Sequence, residues 1–177
     1  MADRKLLEHN GFVFECAIAR NLARRYPNAI ILQNKELYSH FLKKNTQIDL
    51  IMICNRGVFI IEAKNWKRWV KGSYSDNHWL GQGSSVDVIE TFSPTGQNMI
   101  HIRALRNSIR TTFGVEPVDF HNIVCFPNST ALDTDCSEVM NVNTMFLTID
   151  HILITSDQEI DVDLYSKYIE EVTVDGK

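Results

Sequence analysis

Residues 46–64 read T-Q-I-D-L-I-M-I-C-N-R-G-V-F-I-I-E-A-K, and this stretch predicts two strands joined by a turn at Asn55-Arg56-Gly57. Successive side chains of a strand point to opposite faces of its sheet. One face of the first strand then carries Gln47, Asp49, Ile51 and Ile53, and the other carries Ile48, Leu50, Met52 and Cys54. One face of the second strand carries Val58, Ile60, Glu62 and Lys64. The two charged faces coincide when the sequence positions of each cross-strand pair add up to an odd number, as when Asp49 lies opposite Glu62.

A shared face would place two carboxylates, those of Asp49 and Glu62, beside each other. Like charges directly opposite one another are destabilising, and at an effective dielectric constant near 20 two charges ~4 Å apart repel by roughly 4 kcal/mol. Lys64 supplies one compensating charge, and a divalent cation such as Mg²⁺, which prefers carboxylate and water oxygens, would supply the rest. This combination suits phosphodiester hydrolysis, because the metal activates water and the lysine contacts phosphate.

A purely structural interpretation stands beside this one. Acidic residues near strand ends, with a lysine two residues on, occur by chance in many sheets, and most of them are solvated or paired as ions. Spacing alone favours this interpretation, in which Asp49, Glu62 and Lys64 form an ion-pair cluster that divalent cations do not stabilise. The rest of the chain has to decide between the two.

The composition is typical of a soluble domain. The chain has 177 residues, of which 44% are hydrophobic, enough to bury the core of one domain. No apolar segment approaches the ~20 residues that span a bilayer, and the first residues lack the apolar centre of a signal peptide. We therefore expect a cytoplasmic protein without membrane contact. The cysteines have neither zinc-site spacing nor the pattern of a disulfide framework; they are Cys16, Cys54, Cys125 and Cys136.

The net charge of −4 is unevenly distributed. Seven acidic and two basic residues lie from Asp157 onward, so the remainder is close to neutral. Two basic stretches contain no acid and could contact phosphates; one comprises Lys64, Lys67, Arg68 and Lys71, and the other Arg103, Arg106 and Arg110. Aromatic residues interleave with the first stretch. Trp66, Trp69 and Trp79 are equally suited to stack on bases or to cover the sheet.

Apolar periodicity predicts the remaining elements. Steps of three and four residues predict helices over 4–26 and 97–113, the second after the turn S-P-T-G, and an acidic helix over 161–171. Strands are predicted at 28–32, 86–92, 118–126 and 145–149, with a polar connection or ragged edge at 33–45 and a flexible tip at 81–85. Gln97 lies in the first turn of its helix and can point back toward the strand ends, and Glu15 lies beside the apolar stripe of the first helix, one turn after Gly11. Such side chains are more often solvated.

Other chemistries lack their motifs. The chain has no G-x-S-x-G, no G-x-x-x-x-G-K-[ST] and no H-E-x-x-H. Gly81-Gln82-Gly83 lacks the third glycine and the following helix of a dinucleotide site.

One ordered set of residues matches a known family pattern; it comprises Gly11, Glu15, Gln47-Ile48-Asp49, Glu62-Ala63-Lys64-Asn65-Trp66, Gly72, Trp79, Pro94 and Gln97. By these residues the chain resembles the nuclease-related domain family, NERD, of the PD-(D/E)xK or restriction-endonuclease-like superfamily. The resemblance runs from about Glu8 to Pro127. E-x-K alone is unspecific, whereas T-Q-I-D followed by G-V-F-I-I-E-A-K-N-W is specific. Ile48 stands where the family pattern usually has a proline.

The resemblance implies an α/β fold with a mixed central sheet flanked by helices and a restriction-endonuclease-like αβββαβ core. From the length of the chain we expect a single NERD-like domain over residues 1–177, with an acidic C-terminal extension from about residue 128 that the resemblance does not cover. The acidic character of this extension predicts a surface that faces away from nucleic acid or binds protein. Asp49 and Glu62 match metal-binding acids, with the Ala63 carbonyl as a further ligand and Glu15 completing the shell, in part through water. Lys64 matches the lysine that supports the attacking water, and Gln97 matches a glutamine that orients water or substrate.

The implied function is a nuclease that hydrolyses phosphodiester bonds, most directly in DNA, with Mg²⁺ or Mn²⁺. The strand would be held by Lys67, Arg68, Arg103, Arg106, Arg110 and Trp66. Alanine at Asp49 or Lys64 is then expected to abolish cleavage with the fold intact. The alternative is a catalytically weak or inactive nuclease-fold module that binds nucleic acid or a protein partner, which the modest basic surface keeps open. A homodimer or an assembly with partner proteins is open in both cases.

Overall fold

A six-stranded mixed sheet is built outward from the hairpin of residues 44–63. The computed structural model describes residues 2–83 and 87–176, with side chains from Asn10 onward. In chain order the elements are α1 (Ala2–Arg25), β1 (Ile30–Ser39), β2 (Lys44–Cys54), β3 (Gly57–Ala63), β4 (Trp69–Lys71), β5 (His78–Gln82), β6 (Val88–Phe92), α2 (Pro94–Phe113), β7 (Phe120–Phe126), β8 (Ala131–Asp133), β9 (Val139–Asn141), α3 (Val142–Thr155), α4 (Val162–Val172) and β10 (Val174–Asp175).

The large sheet has the strand order β10-β1-β2-β3-β7-β9. Strands β1, β2 and β3 are antiparallel neighbours, whereas β7 and β9 add in parallel beside β3. The order α1, three antiparallel strands, α2 and a parallel strand confirms the predicted α/β fold with its αβββαβ core. A second sheet, of order β6-β5-β4-β8, lies largely within the connection from β3 to α2.

The register of the β2–β3 hairpin is the predicted one. Leu50 pairs with Ile61 and Cys54 with Gly57, so the sequence positions of every pair add up to the same odd number. Gly57 is the first residue of β3, and the turn is therefore shorter by one residue than predicted. Backbone pairing between β2 and β3 ends at Leu50. Beyond it a side chain continues the contact between the strands: the carboxylate of Asp49 accepts a hydrogen bond of 2.9 Å from the main-chain N–H of Ala63.

Regular alternation in β2 breaks at Asp49, and here the prediction for Ile48 is wrong. Ile48 packs in the same core cluster as Ile51 and Ile53, not with Leu50. On β1 the ladder with β2 runs through Gln33 and Lys35 but omits Asn34, which would face Asp49 and has a left-handed φ of 50°. The local break in both strands allows residues on either side of it to face the same core.

Each face of the large sheet is covered by two helices. Buried side chains of α1 and α3, among them Leu22, Met145 and Ile149, pack with Leu50, Met52 and Phe59 on one face. Ile102, Leu105 and Ile109 of α2 pack with Ile169 of α4 on Ile51, Ile53 and Ile60 on the other face. The part of the chain beyond residue 128 supplies both edge strands, β9 and β10, and the helices α3 and α4.

Helix α2 is defined at both ends by local chemistry. Ser93 caps its N-terminus by accepting the N–H of Gly96, Pro94 suits the first helical position, and Gly114 ends it with a left-handed φ of 67°. Inside the helix, the fully buried side-chain amide of Asn98 lies 2.8 Å from the carbonyl oxygen of Ile60 and 3.0 Å from that of Ile123. It also lies 2.7 Å from the side-chain oxygen of Asn122. One side chain thus joins α2 to β3 and β7.

The helices predicted at 4–26, 97–113 and 161–171 are confirmed as α1, α2 and α4, and the strands at 86–92 and 118–126 as β6 and β7. The strand predicted at 145–149 is wrong. Met145 and Ile149 are the buried positions of helix α3 and lie four residues apart, a spacing that the apolar run concealed. Among the described residues, no helix combines the length and apolarity that a bilayer crossing requires.

The polar connection predicted at 33–45 is also wrong. The strand expected at 28–32 continues as β1 to Ser39, because long antiparallel pairing with β2 satisfies its backbone and Lys35 forms an ion pair with Asp175. The tip predicted at 81–85 belongs in part to β5, which includes Gly81 and Gln82. Ser84 and Ser85 lie outside the described residues.

The tryptophans mainly build the small sheet. Trp79 is fully buried against Val70 and Phe126, and Gly72 leaves no room for a Cβ beside its ring. Trp66 packs in the same way on Gly81. Of the two interpretations left open by the sequence, the covering role is the one observed for Trp79.

Candidate active site

A pocket of about 640 Å³ opens where the β2–β3 ladder ends. Its walls come from α1, β2, β3, α2, the β1–β2 loop and the end of β6. Six of the residues singled out in the sequence line it; they are Glu15, Asp49, Glu62, Ala63, Lys64 and Gln97. The structure thus brings together side chains that are up to 82 positions apart in the sequence.

Glu62 and Lys64 form the ion pair at the centre of the pocket. Lys64 Nζ lies 2.5 Å from Glu62 Oε1 and donates a hydrogen bond of 3.1 Å to Gln97 Oε1. Burial alone would raise the pKa of Glu62, but the charge of Lys64 and the neighbouring His101 outweigh it and lower this pKa. Burial would lower the pKa of Lys64, but Glu62 and the two other carboxylates raise it. Both groups are therefore held in their charged forms.

Asp49 and Glu15 are in the opposite situation. Burial, followed by repulsion from Glu62 and then from Glu15, raises the pKa of Asp49 well above its ordinary value. Burial and repulsion from Glu62 also raise the pKa of Glu15. When all three carboxylates are ionised, one lysine does not neutralise them, and a bound cation would relieve the excess negative charge.

His101 belongs to the pocket, although the sequence did not point to it. Its ring is buried, with Nε2 3.3 Å from Glu62 Oε2 and Nδ1 3.0 Å from the hydroxyl oxygen of Thr46. The Nε2 and Oε2 atoms are close but not aligned for a hydrogen bond. The sequence feature that could have pointed to His101 is its position four residues after Gln97, which puts both side chains on one face of α2. A single histidine in an amphipathic helix is too common to be singled out on that basis.

Replacing His101 by alanine is expected to lower the free energy of unfolding by about 1–3 kcal/mol, because Glu62 and Thr46 lose a buried polar neighbour. His101→Gln, whose amide can donate toward Glu62, should recover part of the loss. Urea unfolding measures the difference, with His151→Ala on the exposed surface of α3 as control. Wild-type stability of His101→Ala would show that the contact does not hold Glu62.

The predicted phosphate-contacting residues divide into two groups. Arg103, Arg106 and Arg110 line a second pocket of about 400 Å³, which shares Phe41 and Ile100 with the first. In the fold this stretch is not free of acids, since Arg106 bonds to Asp119 and both Arg106 and Arg110 pair with Glu116.

The second group lies outside both pockets. Lys67 and Arg68 are exposed in the segment that leads into β4 and line neither one. Trp66, which precedes them, packs on Gly81, and its ring centroid is 5.8 Å from that of Phe126. The structure therefore places Arg103, but not these three residues, beside the pocket that contains the carboxylates.

The oxygen ligands of the pocket suit a hard divalent cation, but their arrangement limits how many protein ligands such a cation could have. Carboxylate and carbonyl oxygens are the ligands of Mg²⁺, which often takes one or two carboxylates and completes its shell with water. In the described part of the chain, no group of three or more histidine, cysteine, aspartate or glutamate side chains is placed to hold an ion. The residues present therefore fit a cation held by few protein ligands and several waters.

Comparison with known proteins gives a family match and one distant relative. The model of a family described as nuclease-related domain matches residues 10–127. An uncharacterised protein of Bacillus anthracis is 34% identical over 92 residues, which are 51% of this chain and 42% of that protein. This chain therefore spans less than half the length of the relative. No solved structure matches the chain.

Proposed function

Because the chain belongs to the nuclease-related domain family, NERD, we propose that it is a metal-dependent nuclease that hydrolyses phosphodiester bonds, most directly those of DNA. The observation that carries the proposal is the convergence of Asp49, Glu62 and Lys64 in one pocket, where they meet Glu15 and Gln97. The family match covers all five residues. Their unbalanced charge supports a cation there, and phosphate is the substrate group that a cation and a lysine both attract.

Asp49 and Glu62 would hold Mg²⁺ or Mn²⁺, with the carbonyl of Ala63 and, through water, Glu15 as further ligands. When bound, such an ion neutralises developing negative charge and lowers the pKa of a coordinated water. Burial is the main cause of the raised pKa values of Asp49 and Glu15, and repulsion from Glu62 adds to it; the repulsion supports this assignment, because both carboxylates would gain from a positive neighbour.

Lys64 would supply positive charge to the phosphate. An ammonium group has three N–H donors, and the contacts with Glu62 and Gln97 occupy two of them. The third is available to a phosphate oxygen or to the attacking water. Gln97 fixes the lysine through its side-chain oxygen and keeps its own amide N–H groups for water or substrate. Glu62 keeps the lysine charged, so the group is a source of charge and not a proton donor at neutral pH.

A cleavage assay tests the proposal. Plasmid and single-stranded DNA are incubated with the protein and Mg²⁺, Mn²⁺ or a chelator, and the products are separated by electrophoresis. We expect cleavage with metal and none with chelator. Glu62→Gln keeps the shape of the side chain but removes its charge, and it should slow cleavage by about 100-fold or more. Absence of cleavage in every condition, or cleavage that survives Glu62→Gln unchanged, would refute the proposal.

A binding module of the same fold is the second candidate. Both carboxylate oxygens of Glu62 already face protein groups, Lys64 on one side and His101 on the other, which competes with a metal ion for this ligand. Under this alternative the protein binds DNA in the presence of chelator and does not cleave it when metal is added. Fluorescence anisotropy with labelled DNA, run beside the cleavage assay, separates the two candidates.

A further inference from the structure

Two exposed aromatic rings lie at the rim of the pocket that contains the carboxylates. Phe41, in the loop between β1 and β2, is 76% exposed, and Phe92, at the end of β6, is 42% exposed. Both line the same pocket as Asp49 and Glu62. Single exposed apolar residues are ordinary, but two aromatic rings from different elements at one charged pocket are a feature that folding alone does not require.

The surroundings of Phe41 are cationic. Lys43 follows it in the loop and Lys44 is the first residue of β2; both are exposed, and Lys44 lines the pocket with Phe41. On its other side Phe41 lines the neighbouring pocket with Arg103, which forms no ion pair with any residue in the described ranges. An apolar ring among exposed positive charges, beside the pocket proposed to hold a cation, is complementary to a ligand that has both an aromatic face and negative charge.

A nucleic acid strand has both properties, and the aromatic rings indicate which form of it fits. Bases in a duplex stack on one another and expose only their edges, whereas unpaired bases expose faces that aromatic side chains can stack on. On the premise of the proposed nuclease function, we propose that the pocket takes single-stranded DNA, with bases stacked on Phe41 and Phe92 and phosphates at Arg103 and Lys44. The strand then crosses the pocket that contains Asp49 and Glu62.

DNA binding can be measured separately from cleavage when a chelator removes divalent cations. Fluorescence anisotropy is measured in chelator with a labelled single-stranded oligonucleotide of about 15 nucleotides, with the same sequence as a duplex, and with single-stranded RNA. We expect the single-stranded DNA to bind more tightly than the duplex. Phe41→Ala should weaken its binding about 5- to 150-fold, the range typical of the loss of one stacked base, and Phe92→Ala should weaken it similarly.

Further variants separate stacking from apolar contact. Phe41→Trp keeps an aromatic face and should bind like the wild type, whereas Phe41→Leu keeps apolar area without that face and should bind like Phe41→Ala. Ile154→Ala, which removes an 84% exposed side chain from α3, is the matched surface control and should have no effect. Unchanged melting temperatures of the Phe41 variants establish that binding, not folding, is affected.

The results distinguish this inference from the nuclease proposal. Equal or tighter binding of the duplex, or full binding by Phe41→Leu, would overturn the inference while metal-dependent cleavage still supported the nuclease. Loss of binding in Phe41→Ala and Phe92→Ala in a protein that cleaves no DNA would support the strand site and refute the nuclease. Tighter binding of the RNA would overturn the assignment to DNA.

Discussion

Asp49→Asn is expected to reduce metal-dependent cleavage by about 1000-fold or more and, at the same time, to stabilise the metal-free protein at neutral pH. Loss of a ligand carboxylate removes several kcal/mol of charge stabilisation in the transition state, and each 1.36 kcal/mol is a factor of ten. In the folded protein, however, burial and repulsion from Glu62 and Glu15 raise the pKa of Asp49. Asparagine relieves that repulsion and can still accept the N–H of Ala63.

The stabilising effect of Asp49→Asn depends on pH. Because the pKa of Asp49 is higher in the folded than in the unfolded protein, Asp49 destabilises the fold increasingly as pH rises above the unfolded value near 4, and fully above the folded value. The gain from Asp49→Asn should therefore be largest at high pH, on the order of 1 kcal/mol or more, and should vanish in acid. Melting temperatures in chelator over a pH series measure it.

Asp157→Asn, a change of an exposed aspartate, is the control and should leave the melting temperature unchanged at every pH. A lower melting temperature for Asp49→Asn at neutral pH would mean that the carboxylate stabilises the metal-free pocket. That result would remove the main support for a cation beside Asp49.

Lys64→Ala is expected to abolish cleavage and to lower the free energy of unfolding by about 3–5 kcal/mol. Removal of one partner of a buried ion pair leaves the other charge uncompensated, and here Glu62, with a side chain only 2% exposed, would face Asp49 and Glu15 without the lysine. The sequence alone suggested that this variant would keep its fold intact, whereas the geometry adds a large cost in stability. Inactivity of Lys64→Ala by itself is therefore ambiguous.

The double variant Glu62→Gln with Lys64→Met resolves the ambiguity. Neutral side chains of similar size often replace a buried ion pair without loss of stability, so the double variant should melt close to the wild type and remain inactive. Urea unfolding and the plasmid assay, applied to Glu62→Gln, to Lys64→Met and to the double variant, complete a thermodynamic cycle with the wild type. If Lys64→Ala were as stable as the wild type, the ion pair would not hold the pocket together. If the double variant cleaved DNA, the lysine would not act on the phosphate.

The centre of the molecule could be predicted from the sequence for a physical reason. Strand faces alternate with a period of two, so the charged positions of residues 46–64 by themselves restrict the register of the hairpin. Gln97 could be found because the turn before it marks the start of a helix, and the first turn faces the strand ends. Local chemistry at Ser93 and Pro94 carries that information.

The errors arose where a distant part of the chain decides the structure. Residues 33–39 are polar, yet they form a strand because β2 and β10 pair with them from either side. Met145 and Ile149 lie in an apolar run that suits a strand or a helix equally, and the surface of the sheet selected the helix. The roles of His101 and Phe41 depend on neighbours in other elements, which no local pattern contains.

The buried amide of Asn98 has a consequence for how rigidly the pocket is held. This side chain fixes α2 to main-chain oxygens of β3 and β7, directly beside Gln97 and one turn before His101. The helix cannot slide along the sheet without breaking those bonds. The polar groups of the pocket are therefore oriented during folding. In the proposed reaction little reorganisation would be left, which is the condition under which fixed dipoles lower a barrier most.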